Sequence, residues 1–212
     1  ANQLFALDEI LIPSRLLAPT YLTADDETFA ITTVASQSIP YLPDAPELSA
    51  QYHVLNLSPI ETLQGGANIV VMGEAGSGKT TVLAQVASSL IQEDPSAGNL
   101  ANHLPYYIHI ADIDFSGQDV LGPIGLFITP ISKQHSSFAR SRIPAAIIDA
   151  ARNGTLLFLL DGLDELPKNQ FDKAVNLIEA VLDQFPRTQI MTTASPYYLG
   201  GLVKLGFQPM GI

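Results

Sequence analysis

From residue 61 onward, short apolar runs alternate with longer stretches whose apolar positions recur with the period of an α-helix. The apolar runs predict strands at residues 69–72, 106–110, 155–160, 189–193 and 207–212. The helical period predicts helices at residues 79–92, 168–185 and 196–205. Strands that alternate with helices form right-handed βαβ units. The sequence therefore predicts an α/β fold in which a mostly parallel five-stranded sheet lies between two helical layers.

The predicted elements differ in how much of their surface is apolar. The run at residues 155–160 (TLLFLL) is almost wholly apolar, which predicts a strand buried on both faces. The helix at residues 79–92 has one apolar stripe, which predicts a buried face of Val82, Leu83, Val86, Ala87, Leu90 and Ile91. The helix at residues 168–185 has a similar stripe, formed by Phe171, Val175, Ile178, Leu182 and Phe185. Pro144, placed near a first helical turn, and Gly154 bracket one more short helix.

The first 60 residues are rich in proline and contain an acidic cluster at residues 25–27. Proline lacks a backbone donor and fixes φ, so this segment is unsuited to regular helices or central strands. We predict an irregular N-terminal lead, residues 1–60, that packs on a core domain formed by residues 61–212. Within the lead, β-branched residues favour a short strand at residues 28–34, and two prolines favour an extended segment at residues 39–44.

Composition narrows the classes of function open to this chain of 212 residues. Its 10 Lys and Arg residues against 21 Asp and Glu residues give a net charge of −11, which argues against a nucleic-acid substrate. No run approaches the roughly 18 apolar residues of a transmembrane helix, so we predict no membrane span within the chain. The absence of Cys excludes disulfides, a thiol nucleophile and cysteine zinc sites, and it fits an intracellular location.

A glycine-rich segment follows the first predicted strand of the core domain. Residues 73–80 (GEAGSGKT), called the phosphate loop below, match the pattern G-x-x-x-x-G-K-[ST]. Backbone amides of such a loop, together with the N-terminus of the next helix, surround phosphate oxygens. In this pattern Lys79 reaches the β- and γ-phosphates and the Thr80 hydroxyl binds Mg²⁺. The residues predicted to bind nucleotide are Gly73, Glu74, Ala75, Gly76, Ser77, Gly78, Lys79, Thr80 and, at the α-phosphate, Thr81.

An acidic segment ends the most apolar strand. Residues 161–165 (DGLDE), called the acidic turn below, place Asp161 at the end of a buried strand, where a carboxylate is costly without a positive partner. Mg²⁺ bound by Thr80 and the phosphates would supply that charge, so we predict Asp161 as a second metal ligand. Gly162 permits a tight exit turn that would bring Asp164 and Glu165 towards the γ-phosphate. One of these two acids would orient or deprotonate the attacking water, and with Lys79 they form the predicted catalytic set.

The phosphate loop with its following threonine (GEAGSGKTT) and the later segment LLFLLDGLDEL resemble the Walker A and Walker B motifs of the NACHT domain. NACHT domains are signal-transduction ATPases with numerous domains (STAND), a branch of the additional-strand P-loop NTPases with a catalytic glutamate. The resemblance covers roughly residues 60–212. It implies the three-layer P-loop NTPase fold, binding of ATP or less often GTP, slow hydrolysis, and nucleotide-controlled self-association in intracellular signalling.

One position departs from the family pattern. NACHT domains usually end the fourth strand with a sensor arginine followed by proline, whereas this chain has Ser195 before Pro196. The pair is also an ordinary N-cap and first helical residue. Loss of the arginine would slow hydrolysis or blunt sensing of the γ-phosphate. Thr192 and Thr193 are the candidate polar sensors in its place.

These observations predict a slow, Mg²⁺-dependent hydrolase of nucleoside triphosphates, with ATP favoured and GTP possible, that acts as a signalling and oligomerisation switch. The helical and winged-helix modules that close over nucleotide in the family are missing from this sequence. We therefore expect a fragment of a larger protein, with the other domains of the full chain as partners. The alternative is an assembly scaffold that binds nucleotide with little or no hydrolysis. A P-loop kinase is a less favoured hypothesis, because such kinases do not usually carry the three acids Asp161, Asp164 and Glu165.

The chain also contains four histidines, His53, His103, His109 and His135. They are scattered along the sequence and have no metal-ligand spacing. We interpret all four as core or surface residues and not as metal ligands.

Overall fold

The computed structural model describes residues 13–18, 56–115, 117, 119–134 and 137–212. The strands within these residues are β1 (Leu16–Leu17), β2 (Asn56–Leu57), β3 (Ile69–Met72), β4 (Leu104–His109), β5 (Leu156–Asp161), β6 (Gln189–Ala194) and β7 (Gln208–Gly211). The α-helices are α1 (Pro59–Leu63), α2 (Lys79–Ile91), α3 (Pro123–Gln134), α4 (Ser137–Asn153), α5 (Lys168–Gln184) and α6 (Gly200–Lys204). Short 3₁₀ helices lie at Pro95–Leu100, Ile110–Asp112, Leu163–Glu165 and Pro196–Tyr198.

The seven strands form one sheet in the order β2-β1-β7-β3-β6-β5-β4. Strands β7, β3, β6, β5 and β4 run parallel to one another, as the alternation of strands and helices predicts. Strand β6 lies between β3, which leads into the phosphate loop, and β5, which leads into the acidic turn. The carboxyl ends of these parallel strands therefore lie together at one edge of the sheet.

The sheet has two strands more than the five predicted. Strands β1 and β2 contain 2 residues each, come from the Pro-rich lead, and pair antiparallel at the edge next to β7. Such short strands leave no alternating pattern in a sequence, which is why they were not predicted. The strand predicted at residues 28–34 and the extended segment at residues 39–44 lie outside the described residues.

Strands β3, β5 and β6 are buried on both faces, as predicted for a parallel sheet between two helical layers, whereas the edge strand β4 has exposed residues at Leu104 and Tyr107. In β3, Val70 and Met72 belong to one hydrophobic cluster, and Ile69 and Val71 belong to another on the opposite face. Every residue of β5 is buried, and its side chains alternate between the same two clusters. Helices α3, α4 and α5 cover the first face, and α1 and α2 cover the second. The result is the predicted three-layer α/β arrangement.

The predicted helix faces are correct in most positions. In α2 the side chains of Val82, Leu83, Val86 and Leu90 are buried, but Ile91 is 72% exposed. The prediction for Ile91 is wrong because a residue directly after Leu90 points about 100° away from it around the helix. In α5 the predicted stripe packs against the core, with Phe171 and Ile178 buried and Val175, Leu182 and Phe185 partly buried.

One helix begins earlier than the sequence predicts, and another was not predicted. Helix α4 starts at Ser137, so Pro144 lies inside it and not in its first turn. Helix α3 was not predicted at all, because Gly122, Pro123 and Gly125 resemble a break. Pro123 is in fact its first residue, where the missing backbone donor costs nothing. None of the helices in the described part of the chain is long and apolar enough to cross a membrane.

The last predicted helix, at residues 196–205, is divided. A 3₁₀ turn at Pro196–Tyr198 precedes the short helix α6, and Gly206 follows with φ 83°. Gly200 and Gly201 at the start of α6 weaken a continuous helix across this segment. The divided segment leads directly into β7.

The burial pattern of α2 predicts a contrast between two alanine substitutions. Leu83→Ala should lower the free energy of unfolding by about 2–5 kcal/mol, because it leaves a cavity in the core. Ile91→Ala should change it by less than about 0.5 kcal/mol, because that side chain is exposed. Urea unfolding of both variants and of the unsubstituted protein measures the difference, and equal losses would contradict the packing of α2.

Candidate functional site

The phosphate loop connects β3 to α2 in a tight curl. Gly76 and Gly78 have φ of 81° and 97°, in the left-handed region that favours glycine. A Cβ added at Gly73 would overlap the Ser77 Oγ and lie 2.7 Å from the Ile212 Cγ2. Gly78 is the N-cap of α2 and has no side chain to occupy the free N–H groups of the first turn. The loop and helix therefore present backbone donors of the kind that bind phosphate.

Lys79 lies within the curl of the loop. Its Nζ donates to the carbonyl oxygens of Gly73 at 2.9 Å and Glu74 at 3.1 Å. The same Nζ lies 3.3 Å from the Asp164 Oδ2, and both side chains are mostly buried. The ammonium group thus joins the phosphate loop to the acidic turn.

Asp161 ends β5 and is 5% exposed. Its Oδ2 accepts hydrogen bonds from the Thr80 Oγ1 at 2.7 Å and the Tyr107 hydroxyl at 3.0 Å. Its Oδ1 accepts a hydrogen bond from the Thr193 Oγ1 at 2.6 Å. The three hydroxyls come from α2, β4 and β6, so one buried carboxylate connects three elements. These hydrogen bonds offset the cost of burying the charge.

Tyr107 is a member of the site that the sequence did not indicate. Burial raises the pKa of its hydroxyl to about 12, helped by the hydrogen bond to Asp161 and by the negative charges of Asp161, Asp112 and Glu165. The hydroxyl therefore stays protonated near neutral pH and donates to the Asp161 carboxylate. Its neighbour Tyr106 points into the core instead, as alternation along a strand requires.

The acidic turn folds back over the site. Gly162 has φ 82°, and its N–H donates to the Thr193 Oγ1 at 2.9 Å. The 3₁₀ turn Leu163–Glu165 follows and carries Asp164 to Lys79. The tight exit turn predicted from Gly162 is thus present in the structure.

Glu165 has a different neighbour from Asp164. Its Oε2 lies 3.4 Å from the His109 Nε2, at the end of β4, and its side chain is 65% exposed. The position of His109 beside the acidic turn was not predicted from the sequence. It follows from the pairing of β4 with β5, in which His109 is the register partner of Asp161. His103 directly precedes Leu104, the first residue of β4. His53 and His135 lie outside the described residues.

The two sensor candidates lie on opposite sides of β6. The Thr193 Oγ1 contacts both Asp161 and Gly162, whereas the Thr192 Oγ1 donates to the Leu160 carbonyl within the sheet. The structure therefore brings Thr193 to the site and does not bring Thr192 there. Ser195 occupies the N-cap position before Pro196 but makes no capping hydrogen bond through its side chain.

A cavity of about 510 Å³ opens between the phosphate loop and the acidic turn. Its lining consists of Ala75, Gly76, Gly78, Lys79, Thr80, Thr81, Asp161, Gly162, Asp164, Glu165 and Thr193. Of the residues predicted from sequence, Gly73, Glu74, Ser77 and Thr192 do not line it. The remaining predicted residues all meet in this one cavity.

The oxygen donors at the centre of the cavity suit a magnesium ion. Thr80 and Asp161 offer a hydroxyl and a carboxylate whose oxygens are 2.7 Å apart. Mg²⁺ prefers oxygen ligands and in phosphate sites takes one or two protein groups together with phosphate oxygens. No cluster of three or more His, Asp or Glu side chains that would hold a metal alone is found in the described ranges. The donor set therefore fits an ion that arrives with a nucleotide.

A comparison with protein-family models matches residues 67–207 to the NACHT domain. The matched region covers more than half of the chain and includes the phosphate loop, the acidic turn and Thr193. It begins just before β3 and ends just before β7. A search of curated proteins finds no match to this chain.

Gly162 and Gly206 both have a left-handed backbone, but Gly162 also lies close to another side chain. A Cβ at Gly162 would lie 2.6 Å from the His109 Nε2, whereas a Cβ at Gly206, which has φ 83°, would have no atom within 4 Å. Both Gly→Ala changes should cost about 1–2 kcal/mol for the left-handed backbone. Gly162→Ala should cost about 1–3 kcal/mol more, because the methyl group overlaps the imidazole. Urea unfolding of the two variants measures this difference, and equal destabilisation would show that the ring does not lie on the acidic turn.

Proposed function

The chain belongs to the NACHT domain family, a family of nucleotide-binding NTPases, and we propose that it binds Mg–ATP and hydrolyses it slowly as a signalling switch. The observation that carries the proposal is the 2.7 Å hydrogen bond between Thr80 and Asp161. It joins the two motifs that a P-loop NTPase needs at one metal position. The family resemblance favours ATP, with GTP as a possible second substrate.

Phosphate binding follows from the donors of the loop. The amides of residues 73–80 and the first turn of α2 would hold the phosphate oxygens, and Thr81 would contact the α-phosphate. The Lys79 ammonium would exchange its contacts with two loop carbonyls and Asp164 for the β- and γ-phosphates. Its present partners keep the charge compensated before nucleotide arrives.

The metal would be held by Thr80 and by Asp161. When bound, Mg²⁺ supplies positive charge that neutralises the phosphate oxygens and the buried carboxylate. Thr193 and Tyr107 hold that carboxylate through hydrogen bonds from two strands. These hydroxyls fix the orientation of Asp161. Because they are neutral, they do not compensate its negative charge.

Hydrolysis would use the two acids of the acidic turn. A carboxylate of Asp164 or Glu165 orients a water molecule towards the γ-phosphorus and accepts its proton as the new P–O bond forms. The bond from the γ-phosphorus to the bridging oxygen breaks, and ADP leaves with that oxygen. Lys79 stabilises the charge that develops on the transferred group.

The switch would depend on whether the γ-phosphate is present. Thr193 contacts both Asp161 and Gly162, so it is placed to pass a change at the phosphate to the acidic turn. Slow turnover would keep the nucleotide-bound state long enough for self-association and for contacts with other domains of the full chain. This function implies an intracellular location, where nucleoside triphosphates are available.

A second candidate function is a nucleotide-dependent assembly scaffold with little or no hydrolysis. The observation that favours it is Ser195, which stands where the family usually has a sensor arginine. Without that positive charge near the γ-phosphate, the transition state would have less stabilisation. Both functions require the same nucleotide site, so they differ in turnover and not in binding.

Removal of the lysine cation should prevent binding. Lys79→Ala should weaken the affinity for a fluorescent ATP analogue by about 100-fold, because charge-assisted hydrogen bonds to phosphate contribute about 1.5–3 kcal/mol each. Lys173→Ala removes the same charge from an exposed position of α5 and serves as the matched control. Fluorescence titration measures both variants, and unchanged affinity in Lys79→Ala would disprove the phosphate-loop assignment.

Removal of the Asp161 charge should separate binding from turnover. Asp161→Asn keeps the shape of the side chain and should retain most nucleotide binding while losing Mg²⁺-dependent phosphate release. Single-turnover hydrolysis with purified protein measures that release. Persistent turnover in Asp161→Asn would refute its metal role. No release over hours from the unsubstituted protein, with binding intact, would favour the scaffold over the NTPase.

A further inference from the structure

The two acids of the acidic turn have different partners although they are adjacent in sequence. The Asp164 Oδ2 lies 3.3 Å from the Lys79 Nζ, on the side of the phosphate loop. The Glu165 Oε2 lies 3.4 Å from the His109 Nε2, on the side of β4. Asp164 thus contacts Lys79, the cation that would bind phosphate. Glu165 contacts His109, which lies outside the phosphate loop and the acidic turn.

The position of His109 is fixed by the sheet and by a hydrogen bond to its ring. It ends β4 in register with Asp161, the last residue of β5. Its Nδ1 accepts a hydrogen bond from the Ala111 N–H at 3.4 Å, as the N-cap of the 3₁₀ turn Ile110–Asp112. In a neutral imidazole one nitrogen accepts and the other carries the proton. The proton is therefore assigned to Nε2, the nitrogen that faces Glu165.

The imidazole also lies against the start of the acidic turn. A Cβ at Gly162 would be 2.6 Å from the His109 Nε2 and 2.8 Å from its Cε1. The same ring thus contacts the turn at its first glycine and at its last acid. A glutamate that is 65% exposed would otherwise sample several rotamers.

We propose that His109 is a positioning residue for Glu165, which makes Glu165 the carboxylate that orients the attacking water. This inference rests on the proposed hydrolysis. The His109 Nε2, 3.4 Å from the Glu165 Oε2, holds the carboxylate beside the cavity that Glu165 lines together with the phosphate loop. Exposed ion pairs contribute little to stability, so the effect of this contact falls on the geometry of the carboxylate.

Two substitutions separate this role from the capping role of His109. His109→Asn keeps an acceptor near the position of Nδ1 for the Ala111 N–H, but its side chain is too short to reach Glu165. His109→Gln places an amide donor near the position of Nε2. We expect His109→Asn to lower kcat for ATP about 10- to 100-fold, as for a misplaced catalytic group, with KM changed less than about 2-fold. His109→Gln should restore most of the lost kcat.

A coupling experiment adds a readout that a structural role would not move. In a Glu165→Gln background, His109→Asn should cause no further loss of kcat, since the carboxylate that His109 positions is already absent. Binding of a fluorescent ATP analogue to each variant confirms that the site is still folded. Steady-state kinetics of the four proteins of this cycle, with His109→Gln beside them, completes the test.

Each outcome has a defined meaning. Equal kcat in the unsubstituted protein and His109→Asn would overturn the positioning role and leave the proposed function standing. Equal losses in His109→Asn and His109→Gln, additivity with Glu165→Gln, or a change in KM alone would also overturn it. Nucleotide binding without turnover in the unsubstituted protein would overturn the proposed hydrolysis, and the role of His109 with it.

Discussion

The carboxylate of Asp161 lies at the end of a strand whose residues are all buried, and the rest of the site is arranged around that charge. A buried carboxylate requires donors, and here hydroxyls from α2, β4 and β6 supply them. All three donors are neutral, so the carboxylate keeps its charge available for a cation. The requirement also explains the strand order, since β6 must lie beside β5 to bring Thr193 within reach.

The acidic turn, which begins at this buried charge, connects it to the phosphate loop on one side and to the end of β4 on the other. Gly162 provides the left-handed backbone and the space for His109, and the residues after it reach both the phosphate loop and β4. Asp164 and Glu165 consequently contact different groups, the Lys79 ammonium and the His109 imidazole. The two adjacent acids thus have separate partners, one on the side of the phosphate loop and one at the end of β4.

The sequence predicted the elements that have a strong local signal and missed those fixed by contacts between distant residues. The strands β3 and β5, the phosphate loop and the acidic turn follow from apolar runs and short motifs. The positions of Tyr107 and His109 depend on how β4 is registered against β5, which no local pattern reveals. The choice between Thr192 and Thr193 likewise depends on which face of β6 meets Asp161. The strands β1 and β2 are too short to leave a periodic signal.

The central claim is that Thr80 and Asp161 form half of a metal site that a nucleotide completes. The most direct measurement is electron paramagnetic resonance of Mn²⁺, a substitute for Mg²⁺, added to the protein with and without ATP. The described residues offer no metal-binding cluster of their own. The account therefore predicts a protein-bound Mn²⁺ signal when ATP is present and free Mn²⁺ when it is absent. Equally tight Mn²⁺ binding without ATP, or no protein-bound signal with it, would contradict the account.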